Sequence, residues 1–272
     1  MVNSTTFIRA YVGARPGGRA PPDLRGVPVS SDPNFGFTFV LAFARDGNRD
    51  GIFTPFWDDS ITPTLVAELQ QENANRGFAV SLGGDNWDWQ APADEAGWIS
   101  NAVSSLLGMK NTYNLSGFDL DYENGIDDSF PRIMGQVIDQ LNETPTPFGV
   151  QFSVAPFGST YDTYQAIYTN NSSFVPQFNY QIYADGLGDV QSYIDRYAVL
   201  AQANPQQNDN GYFQLGFGIC TTMGMERGLQ PPQIYDAWDA VHSEGVSVCF
   251  IWCLEDSFMN GYAVESEIQQ RS

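Results

Sequence analysis

Short apolar runs along the chain alternate with longer segments in which apolar residues recur at helical spacing. The short runs are rich in β-branched and aromatic residues, which is typical of buried strands. Eight strands are predicted, at residues 7–12, 36–44, 77–82, 117–122, 149–155, 178–183, 213–218 and 246–252. Helices are predicted between them at residues 62–75, 95–109, 129–141, 161–168, 189–203 and 232–242. This order indicates a parallel sheet with helices packed around it.

Eight strand–helix units within 272 residues match the size of a single (β/α)8 barrel, the TIM barrel of the α/β class. A doubly wound sheet would usually have fewer strands and a glycine-rich phosphate turn, and no GxGxxG sequence follows the first strand. No long linker divides the chain, so we predict one barrel domain over residues 1–272. The proline-rich stretch 13–34 is expected to form a rigid surface connection.

The fourth predicted strand is where reactive groups concentrate, and active sites of such barrels lie at the C-terminal ends of strands. Asp119, Asp121 and Glu123 alternate with apolar residues, so they share one face of the strand, with successive pairs roughly 6–7 Å apart. Three inward carboxylates repel one another and lose water, so at least one is expected to hold its proton at neutral pH. Glu123, nearest the rim, is therefore the candidate general acid.

Two other interpretations of this strand are weaker. An exposed edge strand would not need the apolar residues Phe118, Leu120 and Tyr122 on its other face. A calcium-binding loop would need glycine at its sixth position and glutamate at its twelfth, where the chain has Asn124 and Phe130.

Composition narrows the expected partners. The chain has 32 acidic and 12 basic residues and a formal net charge of −20, which predicts repulsion from nucleic acid and from anionic membranes. Its apolar runs are far shorter than the roughly 20 residues that span a bilayer. The first six residues lack the basic and apolar regions of a secretory signal. The compartment stays open between an intracellular one, cytoplasmic or vacuolar, and secretion after processing.

Cofactor chemistry is not indicated. His242 is the single histidine and falls late in a predicted helix, where a surface or capping role is expected. Cys220, Cys249 and Cys253 are too few and too clustered for a disulfide framework, which favours buried free thiols. No metal-binding constellation is visible, so we predict neither a metal nor a cofactor.

The sequence of the acidic strand resembles the signature of a known protein family. Its sequence Gly-Phe-Asp-Leu-Asp-Tyr-Glu resembles the DxxDxDxE signature of glycoside hydrolase family 18, the chitinases and their relatives. Segments 7–13 and 130–136 are most similar to the plant narbonin-type and bulb chitinase-like proteins. Other strand ends carry compatible residues: Ala42-Phe43, Ser81-Leu82-Gly83-Gly84, Ala155-Pro156, Gln181-Ile182-Tyr183 and Trp252. The resemblance implies a TIM barrel and action on chitin or N-acetylglucosamine oligosaccharides, and a monomer is expected.

The resemblance also implies a mechanism for endo-acting hydrolysis. Glu123 would protonate the glycosidic oxygen while the substrate's own acetamido oxygen attacks the anomeric carbon, which retains configuration. Asp121 would accept a hydrogen bond from the acetamido N–H, and Tyr183 would hold the acetamido carbonyl. Asp119 would share a proton with Asp121.

Substrate-binding residues are expected around this acid. Trp252 is the candidate floor for the apolar face of a sugar, and Tyr11 and Phe43 line the same pocket, although each aromatic could instead fill the core. Gly84 either leaves its backbone open to a ligand or permits a tight turn. The resemblance adds Gln181 as a binding residue. Residues 85–89, with two tryptophans, could form an outer sugar subsite or pack on a neighbouring loop.

One departure leaves an alternative open. Ser116 stands where the signature has its first aspartate, an acid that usually supports the pair above it. The alternative to the enzyme is a catalytically weak or inactive chitinase-like lectin or storage protein. A hydrolase inhibitor that presents its acidic surface to a basic enzyme is a third possibility.

Overall fold

The computed structural model of the protein describes residues 6–143, 151–171, 177–203, 214–222 and 227–272. Eight parallel strands form a closed barrel in which the first strand pairs with both the second and the last. The barrel strands are β1 (Thr6–Val12), β2 (Phe35–Asp46), β4 (Arg76–Gly83), β5 (Gly117–Asp121), β6 (Gln151–Val154), β7 (Gln177–Tyr180), β8 (Gln214–Cys220) and β9 (Val248–Trp252). The predicted TIM barrel is thereby confirmed.

A ninth strand, which the apolar pattern did not predict, lies outside the barrel. This strand, β3 (Phe53–Pro55), pairs antiparallel with the end of β2. Two predicted strands extend beyond the described residues, at 149–150 and at 213. The strand predicted at 178–183 is too long, because β7 ends at Tyr180 and the chain turns at Gln181 into a 3₁₀ turn, Ile182–Ala184.

Helices surround the barrel at each position where the sequence predicted one. They are α1 (Pro63–Glu72), α2 (Glu95–Tyr113), α3 (Ser129–Asn142), α4 (Tyr161–Asn171), α5 (Val190–Ala203) and α6 (Gln233–Ser243). Their starts follow local rules: Thr62 accepts a hydrogen bond from the Leu65 N–H, and Pro63 occupies the first turn of α1. Asp94 caps α2 in the same way through the Gly97 N–H.

The connection between β1 and β2 is unlike the others. Within its described residues 13–34, two 3₁₀ turns, Pro16–Gly18 and Leu24–Gly26, replace the expected helix. Two helices follow the last strand instead, α7 (Leu254–Met259) and α8 (Ala263–Arg271). The Gln269 Nε2 donates to the Pro28 carbonyl, and the Ser30 N–H donates to the Gln269 Oε1. The C-terminal helix therefore covers the connection that has no helix of its own.

The main apolar core lies between the barrel and its helices. Large aromatic side chains fill it, such as Phe39 and Phe78, whose ring centroids are 4.9 Å apart. The three cysteines are buried and free, as predicted. His242 lies at the end of α6, where its Nδ1 is 2.7 Å from the Val246 carbonyl oxygen and its ring stacks on Trp238. The predicted capping role of the histidine agrees with this position.

Candidate active site

Asp119 forms the base of the site, completely buried inside the barrel. Three hydroxyl groups donate hydrogen bonds to its carboxylate, two from the neighbouring strands β4 and β6 and one from β1, which does not pair with β5. Tyr11 Oη and Ser81 Oγ contact Oδ2 at 2.9 and 2.7 Å, and Ser153 Oγ contacts Oδ1 at 2.5 Å. Hydrogen bonds of this kind satisfy an ionised carboxylate that water cannot reach.

Arg9 supplies the positive charge next to these groups. Its side chain is only 2% exposed, and its Nη2 donates to Ser153 Oγ at 2.9 Å. Burial lowers the pKa of the guanidinium, whereas the negative charge of Asp119 acts in the opposite direction. An arginine keeps its charge even when buried, so Arg9 and Asp119 compensate one another beneath the site.

The side-chain amide of Gln181 connects Asp121 and Glu123. Its Nε2 donates to Asp121 Oδ1 at 3.0 Å and to the Ala155 carbonyl at 2.8 Å, and it reaches Glu123 Oε1 at 3.5 Å. Its Oε1 accepts a hydrogen bond from the Tyr183 hydroxyl at 3.2 Å. One amide therefore fixes both carboxylates and the tyrosine relative to each other.

The carboxyl groups of Asp121 and Glu123 have raised pKa values. Burial raises the pKa of Asp121 well above its usual range, and the charges of Glu123, Asp119 and Asp85 add to the effect. The pKa of Glu123 is raised to about 7, first by burial and then by Asp85, against the hydrogen bond from Gln181. A carboxyl with this pKa is half protonated near neutral pH and can donate its proton to a bound molecule.

These acids face a cleft of about 320 Å³ at the C-terminal end of the barrel. Trp252, at the end of β9, forms one side, with its ring 5.9 Å from that of Phe43 and 5.7 Å from that of Tyr11. The residues that line the cleft are Tyr11, Ala14, Pro16, Gly17, Ala42, Phe43, Arg45, Phe56, Asp85, Asn86, Asp121, Glu123, Gln181, Tyr183, Cys220, Thr222, Arg227 and Trp252.

At the rim of the cleft, an arginine lies between two aromatic rings. The Arg45 guanidinium carbon is 4.1 Å from the centre of the Phe56 ring and 5.3 Å from that of Trp87, which is within cation–π distance. The Phe56 side chain is 61% exposed. The rim therefore exposes the flat apolar ring of Phe56 to solvent, and the Arg45 guanidinium packs against that ring.

Most of the predicted site residues come together here. Tyr11, Phe43, Asp121, Glu123, Gln181, Tyr183 and Trp252 line the same cleft, and Asp119 lies directly beneath it. Gly84 is not among the lining residues. Its φ is +90°, and a Cβ atom there would lie 2.6 Å from the Phe43 ring, so both conformation and packing account for a glycine at this position.

The tryptophans of residues 85–89 have different environments. Trp89 is buried, packs against Trp98 and Phe130 with centroids 5.5 and 5.1 Å away, and donates to Ser129 Oγ. Trp89 is therefore a core residue, and the suggestion that both tryptophans form a sugar subsite is wrong for it. Trp87 is half-buried, between Arg45 and Arg49.

Sequence reasoning did not assign Arg9, Ser153 or Arg45 to the site. The signal for Arg9 was present, because a charged residue in the middle of the apolar first strand needs a buried partner. In the part of the chain that the structure describes, no group of three or more His, Cys, Asp or Glu side chains could hold a metal ion. None of the described helices is long and apolar enough to cross a membrane.

Comparison with known proteins places this barrel among relatives, although no protein-family model matches the chain. The chain is 26% identical to Chitinase 1 of Tulipa saxatilis subsp. bakeri over 289 aligned residues, which cover 100% of this chain and 88% of that protein. The catalytic domain of a family 18 chitinase from the fern Peteris ryukyuensis superposes with a TM-score of 0.85 at 28% identity, covering 97% and 98% of the two chains. The chain is therefore similar in sequence and in fold to chitinases of glycoside hydrolase family 18.

Two further similar proteins have names of different kinds. A family 18 chitinase from Crocus vernus has a TM-score of 0.84 and 26% identity, covering 97% of this chain and 98% of that one. A RuBisCO-associated protein of Glycine max is 24% identical over 160 residues, 52% of this chain and 54% of its own. The names of these relatives therefore include chitinases and one protein that is not named as a hydrolase. This mixture agrees with the predicted similarity to the narbonin-like subgroup.

Proposed function

We propose that the protein is an endo-acting chitinase that hydrolyses β-1,4-linked N-acetylglucosamine polymers with retention of configuration. The observation that carries this proposal is the half-buried Glu123, whose carboxyl has a pKa of about 7 and lines the cleft next to Asp121 and Trp252. A carboxyl in this state holds a transferable proton at the pH where an enzyme works.

In the proposed reaction, Glu123 donates its proton to the glycosidic oxygen as the bond to the anomeric carbon breaks. The acetamido oxygen of the sugar attacks that carbon and forms an oxazolinium ion, which water then opens as Glu123 takes a proton back. Asp121 accepts a hydrogen bond from the acetamido N–H and stabilises the positive charge that develops. Its position 3.0 Å from the Gln181 amide supports this role, because that amide also positions Glu123.

The other predicted residues have supporting roles in this proposal. The Tyr183 hydroxyl, which now contacts Gln181, would turn to the acetamido carbonyl. Asp119 would hold Asp121 in its orientation and exchange a proton with it from below. Trp252 would stack on the sugar, with Tyr11 and Phe43 beside it. Gly84 would act indirectly, by allowing the Phe43 ring to approach.

The position of Ser116 favours activity. Its N–H and its hydroxyl contact the Phe78 carbonyl at 2.7 and 3.0 Å, before the start of β5. Along an extended chain, seven residues separate it from Glu123 by about 23 Å. The aspartate that Ser116 replaces would therefore be remote from the proton that is transferred.

The test combines turnover with binding of N-acetylglucosamine oligosaccharides. We expect the wild type to release β-anomeric products first and to shorten polymers rapidly, as an endo-acting enzyme does. Glu123→Gln should lower kcat at least about 100-fold while it retains binding, because the amide keeps the shape and cannot act as an acid. Glu244→Gln, at an exposed glutamate at the end of α6, is the matched control.

The alternative is a chitinase-like lectin or storage protein on the same barrel, which the relative named as RuBisCO-associated makes worth testing. Binding of the oligosaccharides by the wild type without turnover would favour the lectin. The absence of both would favour storage, and either result would refute the enzyme.

A further inference from the structure

One wall of the cleft is a short loop in which Ala14 packs against apolar side chains and the tip is open. Ala14, Pro16 and Gly17 line the cleft from the connection that follows β1. A Cβ atom added at Gly17 or Gly18 would meet nothing within 4 Å. This segment, residues 14–18, which we call the cleft wall, therefore depends on its ends for its position.

Two buried carboxylates from the first turn of α7 tie those ends. Glu255 Oε1 accepts hydrogen bonds from the Gly13 N–H at 2.6 Å and from the Arg15 N–H at 3.3 Å. Asp256 forms an ion pair with Arg19, just beyond the wall. Glu255 is 1% exposed and Asp256 is fully buried. Burial of two carboxylates is costly unless each is paired. Glu255 is paired with the start of the loop and Asp256 with its end.

The same turn also connects the wall to Trp252, which ends β9, the strand next to β1. α7 begins at Leu254, two residues after Trp252, so a displacement of the turn would move the ring and the wall together. On the outside, Asp58 adds a weaker tie, because its Oδ2 lies 3.2 Å from Arg15 Nη1 and its N–H donates to the Gly13 carbonyl. Glu255 and Asp256 therefore connect both ends of the wall to the turn that follows Trp252.

We propose that Glu255 and Asp256 are positioning residues that hold the cleft wall against Trp252 and so set the affinity for the oligosaccharide. They do not contact the cleft, and the chemical step at Glu123 is expected to be independent of them. This inference rests on the proposed function for its ligand, an N-acetylglucosamine oligosaccharide, and on the contacts of the two side chains for its mechanism.

Glu255→Ala removes the acceptor of both backbone N–H groups. We expect it to raise KM about tenfold or more and to leave kcat within about twofold, because a mobile wall must be ordered when substrate binds. Glu255→Gln keeps an acceptor oxygen in the same place and should restore a KM near that of the wild type. Asp256→Asn keeps the shape and loses the charge, so it should raise KM without loss of the fold.

A second measurement does not depend on carbohydrate. Trypsin cleaves after Arg19 only when the loop opens, and Arg15 is protected because Pro16 follows it. Cleavage after Arg19 should accelerate about tenfold in Glu255→Ala and in Asp256→Asn, since local opening controls such cleavage. Arg132→Ala, which removes an exposed ion pair with Glu95, should change neither proteolysis nor KM.

The outcomes separate this inference from the proposed function. If the wild type neither binds nor cleaves the oligosaccharides, the proposed function fails, and proteolysis still tests the ties. If the wild type is active but Glu255→Ala and Asp256→Asn leave both KM and proteolysis unchanged, the positioning role is refuted. A fall in kcat at constant KM would also refute it.

Discussion

At the scale of single residues, the buried charges decide what the site can do. Asp119 accepts from Tyr11, Ser81 and Ser153, and Arg9 contacts the last of these at 2.9 Å. Three hydroxyls and one guanidinium thus make a buried carboxylate tolerable in the centre of a barrel. The raised pKa of Asp121 follows first from burial and partly from the charges of Glu123 and Asp119.

Ser153→Ala tests this arrangement. The substitution removes a hydrogen bond to Asp119 and the acceptor of Arg9, and it leaves both charged groups buried. The free energy of unfolding is expected to fall by about 1–3 kcal/mol in chemical denaturation. The control is Ser104→Ala on the exposed face of α2, where a change within about 0.5 kcal/mol is expected. An equal effect of both substitutions would contradict this account.

The activity should depend on pH through Glu123. As the acid, it must be protonated, and with a pKa of about 7 its activity should decline as the pH rises through that value. Asp85 raises this pKa by its negative charge, so Asp85→Asn is expected to move the decline of kcat/KM to lower pH. A profile that stays in place or moves to higher pH would show that another group controls the rate.

The sequence predicted the acids of this site but not their partners. Asp119, Asp121 and Glu123 lie within five residues, and strand periodicity is enough to place them on one face. Arg9 and Ser153 are 144 residues apart, and nothing local relates them. The two residues lie on β1 and β6, which do not pair, so their contact depends on closure of the barrel.

At the scale of elements, strands and amphipathic helices were predictable because their periodicity reflects the face they bury. The segment after β9 was not predicted as helical. Its acids Glu255, Asp256 and Glu265 are buried, which reverses the usual pattern of polar residues outside and hides α7 and α8. The connection after β1 has no α-helix of its own, because α8 covers it instead.

The length of β5 leads to a prediction about the altered family signature. Ser116 lies before the strand begins and contacts the backbone at Phe78, at the end away from the cleft. Ser116→Asp restores the signature residue and is expected to change kcat less than about twofold, because the new carboxylate lies about 23 Å along the chain from Glu123. A tenfold gain in kcat would show that the serine limits activity.

At the scale of the whole molecule, buried acids make stability depend on pH. The pKa of Glu265 is raised from 4.5 to about 6, first by burial. The native state therefore holds this proton more tightly than the unfolded state. Its stabilising contribution is complete below about pH 4 and is lost as the pH rises through about 6, by roughly 2 kcal/mol.

Glu265→Gln removes this titration and keeps the shape of the side chain. The difference in unfolding free energy between pH 5 and pH 8 should become smaller than in the wild type by up to roughly 2 kcal/mol. Chemical denaturation of both proteins at the two pH values measures it. An unchanged difference would mean that Glu265 does not titrate in this range, and the other raised acids, such as Glu255, would be the next to test.

The pairing of β1 with β9 governs the order of events in biosynthesis. Of the barrel strands, β1 is synthesised first and has β2 on one side. Its other edge is covered only when residues 248–252 have been synthesised. Until then the nascent sheet is an open ribbon with an unpaired, apolar border, a form prone to association with other chains. Closure is thus a late event, and chaperones that shield exposed strand edges should matter until residues 248–252 have been translated.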